Sequence, residues 1–242
     1  MLIGPWGAGK STAWAKINDW LRRTESPGKL YVVDTDRAAA RVAPDLPDDQ
    51  VREVYEWDEY LEAVTHFRSI ATPDDFLVVD LISKAWDEVQ AYYVEEAFGK
   101  RAWPPFFASK KNGGQDGSPL SGAYGSNWQV INKLYGDFIT PVFRFPGHVI
   151  ACSPADPVSQ PDRQGKGGDS AEILDAFGRF GVKPAGQKML GFQFLTVLLM
   201  NAPRQGHYTY TTIKDVNRPA QQNHPVTDFV MDYLKEVAGW SL

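Results

Sequence analysis

A glycine-rich octapeptide near the start of the chain constrains the fold more than any other feature. It reads Gly4-Pro5-Trp6-Gly7-Ala8-Gly9-Lys10-Ser11 and fits the pattern G-x-x-x-x-G-K-[ST]. Glycines in this pattern let backbone N–H groups turn around a phosphate, and the lysine reaches the β- and γ-phosphates as a point charge. The serine hydroxyl is a ligand for Mg²⁺, and the helix that follows adds the positive end of its dipole.

The residues on either side of this loop supply the context that the motif requires. Three apolar residues precede it, and residues 12–17 have helical character, which gives a strand, a loop and a helix. The glycine order differs from G-x-G-x-x-G and argues against a dinucleotide site. An unliganded turn is the alternative, but the context favours nucleotide binding. The predicted nucleotide-binding residues are Gly4, Pro5, Trp6, Gly7, Ala8, Gly9, Lys10, Ser11 and Thr12.

Two short apolar runs further along the chain end in aspartate. Residues 30–33 are followed by Asp34 and Asp36, and residues 76–79 are followed by Asp80. Both runs are typical of buried parallel strands with an acid at the carboxyl end. The second fits a Walker B strand, whose carboxylate holds the Mg²⁺ shell, usually through water. Ser11 and Asp80 are therefore the predicted metal residues.

The size and charge of the chain limit its class. It has 242 residues, of which 43% are hydrophobic, and this is ample for one α/β domain over residues 1–242. The net charge of −5 means that any nucleic-acid site must be a local patch. A single cysteine excludes an intramolecular disulfide and a cysteine-based zinc site. No leader or membrane-length apolar run is present, so we expect a cytoplasmic protein without a membrane partner.

Periodicity divides the rest of the chain into elements. It predicts helices over residues 12–23, 58–70, 83–98, 127–145 and 227–237, and an antiparallel strand pair over 188–200 and 206–214. Two candidate mobile or DNA-binding loops remain, residues 100–126 and 154–170. The first interleaves basic residues with aromatic ones, which suits single-stranded nucleic acid, although a surface insertion packed on the domain has the same composition.

This order of elements resembles the RecA-like core, a mainly parallel sheet flanked by helices with antiparallel C-terminal strands. It is similar in particular to the bacteriophage AAA-domain family of RecA-like ATPases, which act in single-strand annealing and recombination. The residues that carry the resemblance are Gly4 to Thr12, Val32-Val33-Asp34-Thr35-Asp36, Leu77-Val78-Val79-Asp80-Leu81-Ile82-Ser83, His148-Val149-Ile150-Ala151 and Thr212-Ile213-Lys214-Asp215. The resemblance implies ATP and Mg²⁺ as cofactors, single-stranded DNA as a partner, DNA-stimulated hydrolysis and an oligomer.

The resemblance also implies roles for individual residues. It points to Asp36 as the catalytic base that orients and deprotonates water, with Asp34 as the alternative and a capping or loop role as the competing interpretation of both. Asp80 is followed by Leu81 rather than glutamate, so no base adjoins the Walker B carboxylate. Lys214 or Arg218 would reach the γ-phosphate of a neighbouring subunit, although a solvated strand end is the competing interpretation.

Two other functions fit the same motif. A P-loop kinase of a nucleotide or small metabolite would use Asp36 to activate an acceptor hydroxyl and residues 163–166 as a cationic lid, but it does not explain the C-terminal antiparallel strands. A nucleotide-binding assembly or packaging ATPase would use ATP as a structural ligand. No Asn/Thr-Lys-x-Asp motif for reading guanine is present, and this favours ATP over GTP.

Overall fold

An eight-stranded sheet is the centre of the computed structural model, which describes residues 1–98, 125–163, 167–216 and 218–239. Its strands are β1 (Leu2–Ile3), β2 (Leu30–Asp34), β3 (Val51–Glu53), β4 (Phe76–Asp80), β5 (His148–Ser153), β8 (Thr196–Arg204), β9 (His207–Asp215) and β10 (His224–Val226). A separate antiparallel pair is formed by β6 (Ala155–Pro157) and β7 (Val182–Pro184).

The sheet is parallel at its centre and antiparallel at one side. The strand order is β10-β9-β8-β1-β5-β4-β2-β3, in which the strands from β3 to β8 pair in parallel and β9 and β10 pair antiparallel. The carboxyl ends of β1, β2, β4 and β5 therefore lie at one edge of the sheet. Crevices at that edge are where open parallel sheets bind ligands.

Helices cover both faces of this sheet. They are α1 (Lys10–Arg23), α2 (Ala38–Val42), α3 (Trp57–Ile70), α4 (Ile82–Phe98), α5 (Gly125–Phe143), α6 (Ala171–Phe177) and α7 (Leu190–Gln193), with a π-helix over Val230–Lys235. Residues of β4 alternate between the two cores: Leu77 and Val79 pack under α3, α4 and α5, whereas Phe76 and Val78 pack under α1. Every residue of β2 and β4 is buried, as expected for strands covered on both faces.

The α/β fold with antiparallel C-terminal strands is confirmed, and most element predictions hold to within a few residues. The prediction of a strand from residue 188 was wrong, because β8 begins at Thr196 and α7 occupies residues 190–193. Phe192 and Phe194 alternate in sequence, but both pack in the core beneath α6 and α5 rather than on a strand face. Pro141 lies within α5, which continues to Phe143.

Candidate nucleotide-binding site

The glycine-rich loop joins β1 to α1 at the carboxyl edge of the sheet. Gly9 precedes the first residue of α1 and has a φ of 85°, a conformation that L-amino acids rarely adopt. A Cβ atom on Gly9 would lie 2.6 Å from Cδ1 of Tyr208, and one on Gly4 would lie 2.4 Å from the carbonyl oxygen of Met200. Both positions therefore require glycine, and the loop lies in a cleft of about 200 Å³.

Lys10 is buried at the base of this cleft. Its Nζ donates hydrogen bonds to the carbonyl oxygens of Gly4 at 2.8 Å and Pro5 at 3.0 Å. Burial lowers the pKa of Lys10, while the nearby carboxylates of Asp80 and Asp36 act in the opposite direction. An ammonium held by two neutral carbonyls can exchange them for phosphate oxygens, which offer a much stronger charge-assisted bond.

Asp80 faces the first turn of α1, as the Walker B interpretation requires. Its Oδ2 accepts hydrogen bonds from Ser11 Oγ at 2.7 Å and from Trp14 Nε1 at 2.8 Å. Its Oδ1 is buried without a nitrogen or oxygen partner among the described residues. A carboxylate oxygen left unpaired beside a serine hydroxyl is a suitable donor set for Mg²⁺, so Ser11 and Asp80 fit the predicted metal role.

The Asp80 carboxylate is buried, so its charged form loses hydration on folding. Burial raises the pKa of this carboxyl, and the hydrogen bonds from Trp14 and Ser11 only partly oppose the effect. Because its pKa is higher in the folded chain than in the unfolded chain, protonation favours the folded state, and stability is lost as the pH rises through the folded pKa.

Asp80→Asn is expected to raise the melting temperature of the nucleotide-free protein at pH 7 and to abolish magnesium-dependent hydrolysis. In a chain of this size, about 1 kcal/mol corresponds to roughly 2–4 °C in melting temperature. The difference from wild type should shrink as the pH falls, because the wild-type carboxyl becomes protonated. Thermal unfolding followed by circular dichroism over a pH series measures this, with the exposed Asp45→Asn as the control. A lower melting temperature for Asp80→Asn at pH 7 would contradict the expectation.

The two acids at the end of β2, Asp34 and Asp36, have different environments. Asp34 is buried, and its carboxylate accepts hydrogen bonds from the backbone N–H groups of Asp36, Ala38 and Ala39 at 3.2, 3.0 and 2.8 Å. These contacts satisfy the first N–H groups of α2, whose N-cap residue is Arg37, so the Asp34 carboxylate has a structural role. Asp36 instead lines the cleft, and its Oδ1 is buried without a hydrogen-bond partner among the described residues. Asp36 is thus the acid placed to act on a ligand of the cleft.

Two residues of the cleft were missed by the sequence interpretation. Arg41 of α2 lies with its Nη2 3.8 Å from Asp36 Oδ2. Tyr208 of β9 packs over Gly9, on the side of the cleft opposite Arg41. The hairpin explains its position: Leu199 pairs with Ile3, and β8 continues beyond that pair to residue 204 before β9 returns. The alternation of aromatic residues in β9 indicated a strand, but the contact with the loop depends on this pairing.

The two predicted trans-acting cations lie at the opposite edge of the same chain. Lys214 pairs with Val197 near the start of β8, and its Nζ donates hydrogen bonds to the carbonyl oxygens of Phe192 at 2.8 Å and Phe194 at 2.6 Å. Arg218 Nη1 lies 3.4 Å from Asp215 Oδ2. Neither cation reaches the cleft of its own chain. A contact with the nucleotide of a second chain stays a prediction.

The two loop predictions have different outcomes. Residues 100–124 of the first loop lie outside the described residues, and residues 125 and 126 begin α5. The second loop, apart from residues 164–166, is held at its base by β6 and β7 and by an ion pair between Asp169 and Lys183. It starts at Pro154, which lines the cleft. Within the described part of the chain, no helix has the length and apolar character needed to cross a membrane.

Comparison with known proteins agrees with this geometry. The model of a family described as AAA domain matches residues 1–169, which include the glycine-rich loop, Asp36 and Asp80. Among solved structures, the cytoplasmic domain of the Thermomonospora curvata type VII secretion ATPase EccC aligns with a TM-score of 0.37 and 13% identity. That alignment covers 93% of this chain and 24% of the other, and at this score it carries no argument. No curated protein matched. Since the family model spans more than half of the sequence, the chain belongs to the AAA domain family of P-loop ATPases.

Proposed function

We propose that this chain hydrolyses ATP with Mg²⁺ in the cleft beside the glycine-rich loop and couples hydrolysis to assembly on single-stranded DNA. One observation carries the catalytic part of the proposal. Asp36 and Asp80 each hold a buried carboxylate oxygen without a hydrogen-bond partner among the described residues, and both acids are close enough to Lys10 to affect its pKa. Such oxygens are costly unless a ligand, water or metal uses them.

Binding of the triphosphate follows from the loop. Its backbone N–H groups and the N-terminus of α1 surround the phosphates, and Lys10 exchanges the carbonyl oxygens of Gly4 and Pro5 for phosphate oxygens. Ser11 and Asp80 are the residues that would hold Mg²⁺, which neutralises charge on the phosphate oxygens. The absence of a guanine-reading motif favours ATP as the nucleotide.

Hydrolysis requires a general base. Ser11 and Asp80, which would hold Mg²⁺, do not supply it. Asp36 takes the proton of the attacking water, whose oxygen bonds to the γ-phosphorus while the bond to the β–γ bridging oxygen breaks. ADP leaves with the electron pair of that bond. Asp34 is unsuited to this role because its carboxylate already accepts three backbone hydrogen bonds.

The proposed coupling of ATP hydrolysis to DNA binding rests on the resemblance of the sequence to RecA-like ATPases and on the position of the loop over residues 154–170. The segment that begins at Pro154 starts in the cleft, next to Ser153, whose carbonyl oxygen accepts a hydrogen bond from Gly4 N–H at 3.3 Å. A nucleotide in the cleft therefore contacts the start of a candidate DNA-binding loop. A ligand that contacts one end of such a loop can shift the balance between its conformations.

ATP turnover measured with and without single-stranded DNA, together with the mass of the protein in solution, tests the coupling. We expect DNA to accelerate turnover by an oligomer. Exchanging Lys110 and Lys111 for alanine should weaken DNA binding and reduce its dependence on salt, whereas the exposed pair Lys133 and Lys188 serves as the control. Turnover that ignores DNA in a protein that stays monomeric with ATP would exclude the coupling. Transfer of the γ-phosphate to a small acceptor, rather than to water, would instead support a kinase.

A further inference from the structure

The Arg41 side chain lines the cleft beside the glycine-rich loop and has few polar contacts. Its side chain is 67% exposed, and its Nη2 lies 3.8 Å from Asp36 Oδ2, which is beyond hydrogen-bond distance. Among the described residues it makes no hydrogen bond. The five N–H donors of its guanidinium are therefore available to an anion that enters the cleft.

The backbone that carries Arg41 is fixed, in contrast to its side chain. The N–H groups of Ala38 and Ala39 donate to the buried carboxylate of Asp34, and both alanines are buried against the sheet. Helix α2 is therefore anchored one turn before Arg41. A long exposed side chain on an anchored helix can change partner without movement of the backbone.

Arg41 lies on the same side of the glycine-rich loop as Asp80. Strand β2, which leads into α2, pairs with β4, and Asp34 is directly opposite Asp80 in that pairing. Tyr208 closes the other side of the cleft from β9. Ser11 and Asp80 would hold Mg²⁺, which would neutralise charge on the terminal phosphates, so a cation on the side of Asp80 is placed towards the end of the triphosphate chain.

We propose that Arg41 binds the γ-phosphate of ATP and leaves Asp36 when it does so. This assignment rests on the proposed function, because it requires ATP in the cleft. Without a triphosphate, the guanidinium stays beside the Asp36 carboxylate. With a triphosphate, the more highly charged phosphate attracts the guanidinium, and Asp36 is left facing water. The exchange therefore removes the guanidinium charge from beside Asp36 only when a γ-phosphate is present.

Equilibrium binding of ADP and of a non-hydrolysable ATP analogue, both with Mg²⁺, tests this assignment in the full chain. We expect Arg41→Ala to weaken binding of the ATP analogue by about 10- to 100-fold, the range for a hydrogen-bonded charge, and to change ADP binding by no more than about twofold. Arg41→Lys should restore part of the loss, because it keeps the charge without the fork of donors. Arg22→Ala is the matched control, since Arg22 also pairs with an aspartate but at the far end of α1.

Each other outcome overturns the assignment in a distinct way. Equal weakening of ADP and the ATP analogue would place Arg41 on the base, the ribose or the inner phosphates. Unchanged affinity for both would make Arg41 a surface residue that at most holds Asp36. Failure of the wild-type protein to bind either nucleotide would overturn the proposed function itself. Unchanged circular dichroism spectra of the variants would show that the fold is intact.

Discussion

Lys10→Ala is expected to lower ATP affinity by about 100-fold or more and to reduce hydrolysis to background. The reason is that Lys10 is buried at the base of the cleft, where a charge is poorly screened by water. Its Nζ already points at the loop carbonyl oxygens of Gly4 and Pro5, so the triphosphate needs only to replace them. Isothermal titration with ATP and a phosphate-release assay measure the two losses.

The matched control for this variant is Lys16→Ala on the same helix. Lys16 is partly exposed and pairs with Asp19 at 3.4 Å, a surface ion pair that contributes little. Its removal should leave ATP affinity and turnover within about twofold of wild type, as expected for a weak surface pair. Hydrolysis by Lys10→Ala at the wild-type rate would show that the glycine-rich loop is not the phosphate site.

Asp36→Asn is expected to lower kcat by about 10²- to 10⁴-fold, the usual contribution of a general base. Affinity for ATP should change little, because an asparagine at this position keeps the shape of the side chain and Lys10 still holds the phosphates. Single-turnover phosphate release measures the chemical step, and equilibrium titration measures the affinity. A kcat within about threefold of wild type would remove Asp36 from the role of base.

Asp34→Asn is the informative companion to that variant. Asp34 accepts three backbone hydrogen bonds at the start of α2, so its replacement should lower the free energy of unfolding by about 1–3 kcal/mol. Asp36→Asn should change that free energy much less, because Asp36 caps no helix. Chemical denaturation of both variants separates the structural acid from the proposed catalytic one.

The parts of the site that the sequence predicts are those fixed by local chain geometry. The loop from Gly4 to Ser11 needs its glycines and lysine in one order, whatever the rest of the chain does. The Asp80 strand was predictable because its apolar run ending in aspartate, weak evidence by itself, follows a phosphate-binding loop and an intervening βα unit. The contact between Ser11 and Asp80, 69 positions apart, then follows from parallel strand order.

The rest of the site depends on pairings that no short pattern encodes. The sequence left Asp34 open as the alternative to Asp36, and only the start of α2 shows that the Asp34 carboxylate accepts the backbone N–H groups. Arg41 reaches the cleft because α2 turns back towards the loop. Tyr208 reaches it because the hairpin of β8 and β9 extends past β1. Lys214 was a candidate for contact with a γ-phosphate, but its Nζ donates hydrogen bonds to two carbonyl oxygens at the opposite edge of the sheet.

The most direct test of the account is phosphate release from ATP by the wild-type protein as Mg²⁺ is titrated. The geometry of Ser11, Asp80 and Asp36 predicts release that rises with Mg²⁺, stops on chelation and is absent from Lys10→Ala. Release that is independent of Mg²⁺, or equal in wild type and Lys10→Ala, would contradict the claim that this cleft hydrolyses ATP.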